Sequence, residues 1–239
     1  MYLTNLKIES DLLAKKAIVC GDPNRAKFIA AELENTTVLA ENREYVTYGG
    51  TYQNEKVVVV SHGVGASGAA ICFEQLIQGG VEEIIRVGTA GSYQKEIQPG
   101  SLVISTAAVS KDGLSKQIAP EGFPAVADIS VTQALLDASK KYDFKIHSGI
   151  TLTLDVFYEG ALSFPHHLYQ KAGVLAVEME ISALFTIAAI RGIKAGAIVA
   201  IDGFADADLA EEYDPHNQQV AAAIEKESKI ALEALIHIK

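Results

Sequence analysis

Apolar positions along the chain fall into short runs separated by glycine-rich turns and by stretches with helical spacing. Ala17–Cys20, Val57–Ser61, Ile84–Val87, Leu102–Ala108 and Ala195–Ile201 are each compact and apolar enough to be buried strands. Tyr45–Tyr52 pairs with the second of these around a Gln53-Asn54-Glu55 turn, and Ile146–Leu154 adds a further strand. Between them AKFIAAEL, AAICFEQLIQ, Val131–Lys141 and His216–Ile236 carry helical periodicity. Strands alternating with helices indicate a single α/β domain.

The longest apolar passage, Val177–Asp202, organises the rest. Ile181, Leu184, Phe185, Ala188 and Ala189 form one stripe at i, i+3, i+4, i+7 and i+8, the face of a buried helix. Gly192 suits its C-terminus, with Arg191 and Lys194 beside it. Carboxylates bracket the passage: Glu178 and Glu180 before it, Asp202 after it. An unpaired carboxylate in apolar surroundings costs several kcal/mol. If the helix already includes Glu178, the two glutamates point about 200° apart and cannot both face one pocket, so one is expected to work in a site and the other to be tied up structurally. The plainer alternative is a pair of acids favoured by a helix N-terminus and an aspartate capping a loop.

Composition narrows the function. The chain has 239 residues and a formal net charge of −10, which argues against nucleic acid or an anionic membrane as partner. It has no apolar run of membrane-spanning length and no secretory n-region and h-region pattern, so a cytoplasmic protein is expected. Cys20 and Cys72 lack metal or redox spacing, and His166-His167 lack any ligand spacing, so no metal is expected. In so acidic a chain, an anionic substrate must be held by local cations. The arginines are Arg25, Arg43, Arg86 and Arg191.

Several sit where strands end. Gly21-Asp22-Pro23-Asn24-Arg25 follows the first strand and opens a helix, a place where backbone N–H groups and a guanidinium hold oxyanions. Arg86 lies inside an apolar strand and needs an acidic partner or an anionic ligand; Thr89 follows it in Gly88-Thr89-Ala90-Gly91. Ser61-His62-Gly63-Val64-Gly65 is another strand-to-helix turn, without the dinucleotide fingerprint, and His62 reads as a packed turn residue. Arg43 reads as a solvated loop residue. The Gly/Pro-rich connection Ser110–Asp128 has a length that often carries substrate contacts. Phe157 or Tyr158 could stack on a flat ring. Gly21, Arg25, Arg86 and Thr89 thus offer an oxyanion site, and Glu180 with Asp202 offers groups for a polyhydroxylated substrate whose leaving group needs a proton.

Taken in order, GDPxR, NREY, SHGVG, RVGTAG, DxFY, VEMEISALFT and KAGAIVAIDG resemble the purine nucleoside and uridine phosphorylases of the hexamer-forming class over nearly the whole chain. FPAV in the long connection and Asp202-Gly203 resemble the apicomplexan purine nucleoside phosphorylases in particular. The resemblance implies one domain over residues 1–239, a three-layer α/β/α fold with a mixed central sheet, assembled as a trimer of dimers with sites shared across the dimer. It implies phosphate held by Gly21, Arg25, Arg86 and Thr89, with Arg43 entering from a neighbour. Glu180 would bind the ribose hydroxyls with Glu178 beside it, and Met179 would pack under the sugar. Phe157 or Tyr158 and Val177 would line the base, and Asp202 would protonate or hydrogen-bond the purine at N7. The implied reaction is phosphorolysis of inosine- or guanosine-type nucleosides, with inorganic phosphate as co-substrate and no cofactor.

Three departures stand out. Asn5 replaces the histidine by which relatives reach across subunits to the sugar 5′-hydroxyl. Ala161, Leu162 and Ser163 replace the Gln and Arg with which uridine phosphorylases read uracil, which speaks against a pyrimidine pocket. The stretch after Gly203, FADADLAEEYDPHN, lacks the tryptophan of the parasite enzymes. Uridine phosphorolysis, phosphate-independent hydrolysis and a non-catalytic nucleoside or phosphate sensor are the competing functions.

Overall fold

The computed structural model describes residues 1–205 and 217–239. A two-strand ribbon, β1 (Tyr2–Leu3) with β2 (Ile8–Glu9), precedes β3 (Lys16–Cys20) and α1 (Pro23–Ala30). A meander of β4 (Glu34–Asn42), β5 (Tyr45–Tyr52) and β6 (Glu55–Ser61) leads to α2 (Ala66–Gln78) and β7 (Glu83–Ser92). Then come β8 (Leu102–Ser110), α3 (Gly113–Ile118), β9 (Ala125–Val126), α4 (Ile129–Ser139) and β10 (Ile146–Thr153). The chain continues through α5 (His166–Lys171), β11 (Ala176–Glu178), α6 (Ile181–Arg191), β12 (Lys194–Phe204) and α7 (Gln218–Leu235).

The main sheet is mixed and ten-stranded, ordered β11-β10-β8-β12-β7-β3-β6-β5-β4, with β9 on β8. β11 also pairs antiparallel with β7, so β7, β12, β8, β10 and β11 close into a ring. Period-two alternation divides the strands between two cores. Ala17 and Val19, Val58 and Val60, and Ala197 and Val199 face α2 and α6, packing with Phe73, Leu76, Leu184 and Phe185. Ile18, Val57, Val59, Ile198 and Ala200 face the other layer, where α1, α4 and α7 contribute Ile29, Leu135 and Ile230. This is the expected α/β fold with a mixed central sheet.

Local chemistry sets the helix ends as read. Asp22 accepts a hydrogen bond from the Asn24 amide at 2.8 Å, with Pro23 in the first turn of α1. Gly192 closes α6 at φ 70°, a left-handed position suited to glycine. One element escapes the sequence pattern. Glu34–Asn42, not anticipated as a strand, is the polar and mostly exposed edge β4, where no alternation marks a buried face. Arg191 lies in the last turn of α6 as expected, and it also pairs with Glu74 at 2.9 Å across to α2. The Ser110–Asp128 connection holds α3 and β9 and lines a separate cavity of about 540 Å³.

Candidate active site

β3, β6, β7 and β12 run parallel, so their carboxyl ends open on one side, where ligands of α/β sheets bind. A cavity of about 920 Å³ lies there. Gly21, Asp22, Pro23 and Arg25 line it from the start of α1, and Gly63 and Val64 from the turn before α2. The end of β7 supplies Arg86 and Gly88–Gly91, including Thr89. Val177, Glu178, Met179 and Glu180 come from β11 and the entry to α6, and Asp202 and Phe204 from β12. Asp202 is the extra residue of a bulge between Ile201 and Gly203, a device that re-aims a side chain. Phe157 and Tyr158, edge to face at 5.1 Å, form an exposed rim.

Arg86 is the centre of the site. It takes the place in the β7 alternation that follows Ile84, on the α6 side, and is 3% exposed. Its Nη2 pairs with Glu180 and lies 3.3 Å from Glu178 Oε2. Its Nε and Nη1 are buried without a partner in the structure. Gly88 leaves room for the guanidinium, since a β-carbon there would fall 2.8 Å from Arg86 Cζ.

The two glutamates share this arginine, which corrects the expectation that only one could face the site. The helix begins at Ile181, and Glu178 ends a three-residue strand, so the helical angle does not apply. Glu178 caps α6, its Oε2 accepting from the Glu180 and Ile181 amides at 2.7 and 2.9 Å. Its Oε1 accepts from Thr153 Oγ1 at 2.5 Å, and Thr153 Oγ1 accepts from the Ser182 amide at 2.8 Å. Glu180 Oε1 accepts from the Gly65 amide at 2.5 Å, at a residue whose φ of 95° suits glycine.

Electrostatics separates their charge states. Burial pushes the Glu178 carboxyl up to about 7 against the pull of Arg86. Burial also opposes ionisation of Glu180, but Arg86, helped by the hydrogen bond from the Gly65 amide, overcomes it and holds that carboxyl below its usual value. Burial likewise works against the Arg86 charge, yet Glu180 and Glu178 raise its pKa further. His62, packed edge-on against Phe73 at 5.3 Å, is lowered by burial to about 4 and is neutral. Its Nδ1 donates to the Gly63 carbonyl at 2.8 Å, so the buried Nε2 carries a lone pair.

Asn5 and Arg43 do not line the cavity. They lie on adjoining loops, tied where Asn42 Nδ2 donates to the Asn5 carbonyl at 2.8 Å. The structure adds residues that sequence reasoning passed over. His166, set aside for lack of metal spacing, lines the cavity with its Nδ1 2.8 Å from Tyr93 Oη. Glu159 also lines it, accepting from the Phe164 amide at 2.9 Å. Nothing local marks either, because chain distant in sequence builds that wall. Most of the stretch without tryptophan, residues 206–216, lies outside the described residues. Among the described residues no group of three or more His, Cys, Asp or Glu side chains could hold a metal ion. Nor is any helix among them long and apolar enough to cross a membrane.

The family model described as "Phosphorylase superfamily" matches residues 15–237. The chain belongs to the phosphorylase superfamily. It is 36% identical over 235 residues to a purine nucleoside phosphorylase of Plasmodium falciparum, covering 97% of this chain and 95% of the relative. It is 35% identical over 201 residues to the uridine phosphorylase of Escherichia coli, covering 79% of each. The crystal structure of purine nucleoside phosphorylase from Toxoplasma gondii in complex with immucillin-H superimposes with a TM-score of 0.93 at 34% identity, covering 97% of this chain and 94% of that one. This phosphorylase is thus an enzyme of the pentosyltransferase type, acting on a nucleoside and phosphate.

Proposed function

We propose that this nucleoside phosphorylase catalyses reversible phosphorolysis of purine nucleosides of the inosine and guanosine class, giving free base and (deoxy)ribose 1-phosphate. The observation that carries the reading is that Arg25, Arg86, Thr89 and Asp202 line one cavity, with Arg86 holding two further donors that have no protein partner. A phosphate dianion would satisfy those donors, together with Arg25, Thr89 and the backbone at Gly21. Glu180, kept ionised by Arg86 and fixed by Gly65, retains lone pairs to accept from ribose hydroxyls. Glu178 holds the start of α6 and so the aim of Glu180. Met179 packs under the sugar, and Val177 with Phe157 or Tyr158 borders the base.

Breaking the N-glycosidic bond builds positive charge on the sugar and negative charge on the leaving base. The phosphate stabilises the first and attacks it, while Asp202 donates to the base. A purine offers the basic N7 for that contact and uracil has no counterpart, which favours purines. The lack of Gln and Arg at Ala161 and Ser163 supports the same preference. Arg43 and Asn5, side by side and outside the cavity, suit delivery to a neighbour's site. The active assembly is then a homo-oligomer, a hexamer built as a trimer of dimers, working in the cytoplasm with inorganic phosphate and no metal or organic cofactor.

The Escherichia coli relative, similar at almost the same identity, favours uridine phosphorolysis as the second reading. Specificity constants for inosine, guanosine and uridine at saturating phosphate decide between them. Purine values at least about tenfold above that for uridine, a difference of about 1.4 kcal/mol in transition-state binding, are expected; a uridine preference overturns the purine assignment.

A further inference from the structure

Glu227 has no part in the chemistry above, yet it is the most anomalous charge-bearing group in the described residues. It projects from α7 into the core on the sheet side and is 0% exposed. Neither carboxylate oxygen has a hydrogen-bond partner; the Ala200 backbone is near enough to favour the anion but outside hydrogen-bond geometry. Buried carboxyls are ordinarily paired or hydrogen-bonded. The groups acting on this one come from every neighbouring strand or helix that carries charge. Burial pushes its pKa well above the usual value, Arg25 on α1 and Arg86 on β7 pull it back, and Asp202 on β12 pushes it up again. Cys20 on β3 is within reach of the same charges, its thiol pushed up to about 12, chiefly by burial and with Glu227 contributing. From α4, the buried Val131, Ala134, Leu135 and Ala138 are apolar. Glu227 is therefore within electrostatic reach of the two arginines that line the cavity, while it is buried from α7 and does not itself line that cavity.

We propose that Glu227 is a positioning residue for the co-substrate: its protonation state decides how much of the Arg25 and Arg86 charge is left for a phosphate in the cavity. The inference rests on the reading of that cavity as a phosphate site. When Glu227 carries its proton, both guanidinium charges are available to the dianion. When it is ionised, it draws on the same charges and weakens the anion's hold. A dianion bound in the cavity beside the same arginines in turn makes ionisation of Glu227 harder, so anion binding takes up a proton. By linkage, affinity falls as pH rises through the range where Glu227 ionises.

The test is calorimetry of inorganic phosphate and of sulfate binding, from about pH 6 to about pH 9, on wild type and Glu227→Gln, with steady-state kinetics alongside. Sulfate does not titrate in that range, so it separates the protein's proton from that of phosphate. The wild-type sulfate affinity is expected to fall with pH by up to about tenfold per unit, the limit for one coupled proton. Glu227→Gln should flatten that slope to what Glu178 contributes, and in the kinetics the phosphate KM should follow while the nucleoside KM does not. If Glu227→Gln fails to fold, Glu227→Met is the substitute. On wild type alone, heats measured in buffers of different ionisation enthalpy must show proton uptake with sulfate. Anion binding with superimposable pH profiles in wild type and variant, or no proton uptake by wild type, overturns the role of Glu227 and leaves phosphorolysis standing. Failure of both anions to bind wild type, with turnover unaffected by phosphate, overturns the phosphate site as well.

Discussion

Arg86→Ala is the most informative single perturbation, because one guanidinium neutralises two buried carboxylates. Arg86 Nη2 bridges Glu178 and Glu180, and all three side chains are at most 5% exposed. Removing one member of a buried charge cluster costs about 3–5 kcal/mol, since the remaining charge is left without compensation. For a domain of this size, ~4 kcal/mol corresponds to a melting temperature lower by roughly 8–16 °C. The deficit must also depend on pH. Without Arg86, both carboxyls have folded-state pKa values above their unfolded ones, so the variant keeps its stability at low pH and loses it as pH rises. In the wild type Glu180 is held below its usual value, so its contribution is present at neutral pH and lost on acidification. The gap between wild type and variant should be small near pH ~5 and large near pH ~8. Denaturant melts at the two pH values measure it. Adding phosphate at a hundred times its dissociation constant should stabilise wild type by about 2.7 kcal/mol and the variant far less. A variant within about 1 kcal/mol of wild type near pH ~8, or a deficit that does not change with pH, would refute the reasoning.

Gly88→Ala places a methyl group against the Arg86 guanidinium, 2.8 Å from Cζ, and should raise the phosphate KM by about tenfold or more with a smaller change in nucleoside KM; unchanged phosphate kinetics would show that the guanidinium has room to move. His62, held neutral with a pKa near 4 against 6.5 when unfolded, makes the protein lose stability as pH falls between those values, by about 3 kcal/mol in total. Urea titrations from pH ~7 to pH ~4 should show wild type losing more stability than His62→Gln by about that amount, since the carboxylates contribute equally to both. Asp202→Ala should lower kcat on purine nucleosides by about a hundredfold or more while the fold persists by circular dichroism, in line with loss of a general acid. Near wild-type turnover would remove Asp202 from that role.

Much of the sheet was legible because its inner strands are dense apolar runs bounded by glycine. Arg86 announced itself as a charge inside such a run, and its partners proved to be the carboxylates that open the passage centred on α6. The orientation of Glu178 was misjudged because helical periodicity was extended backwards over a strand of three residues, too short to show a period of its own. Edge strand β4 is mostly exposed, with only Leu39 and Ala40 partly buried against the core, too short an apolar stretch to send a burial signal. Closure of the ring by β11 on β7 depends on contacts between chain segments about eighty residues apart, and no local pattern encodes it. The wall containing His166 follows from that closure, since Tyr93 immediately follows β7, and so was equally hidden.

The central claim is that the buried Arg86, with Arg25, presents phosphate to a nucleoside as the attacking group. The most direct measurement is the stoichiometry of inosine turnover, with hypoxanthine followed by absorbance and phosphorus species by nuclear magnetic resonance. The account predicts one inorganic phosphate consumed and one ribose 1-phosphate formed for each base released, with no release when phosphate is omitted. Base release at an undiminished rate without phosphate, accompanied by free ribose, would contradict it.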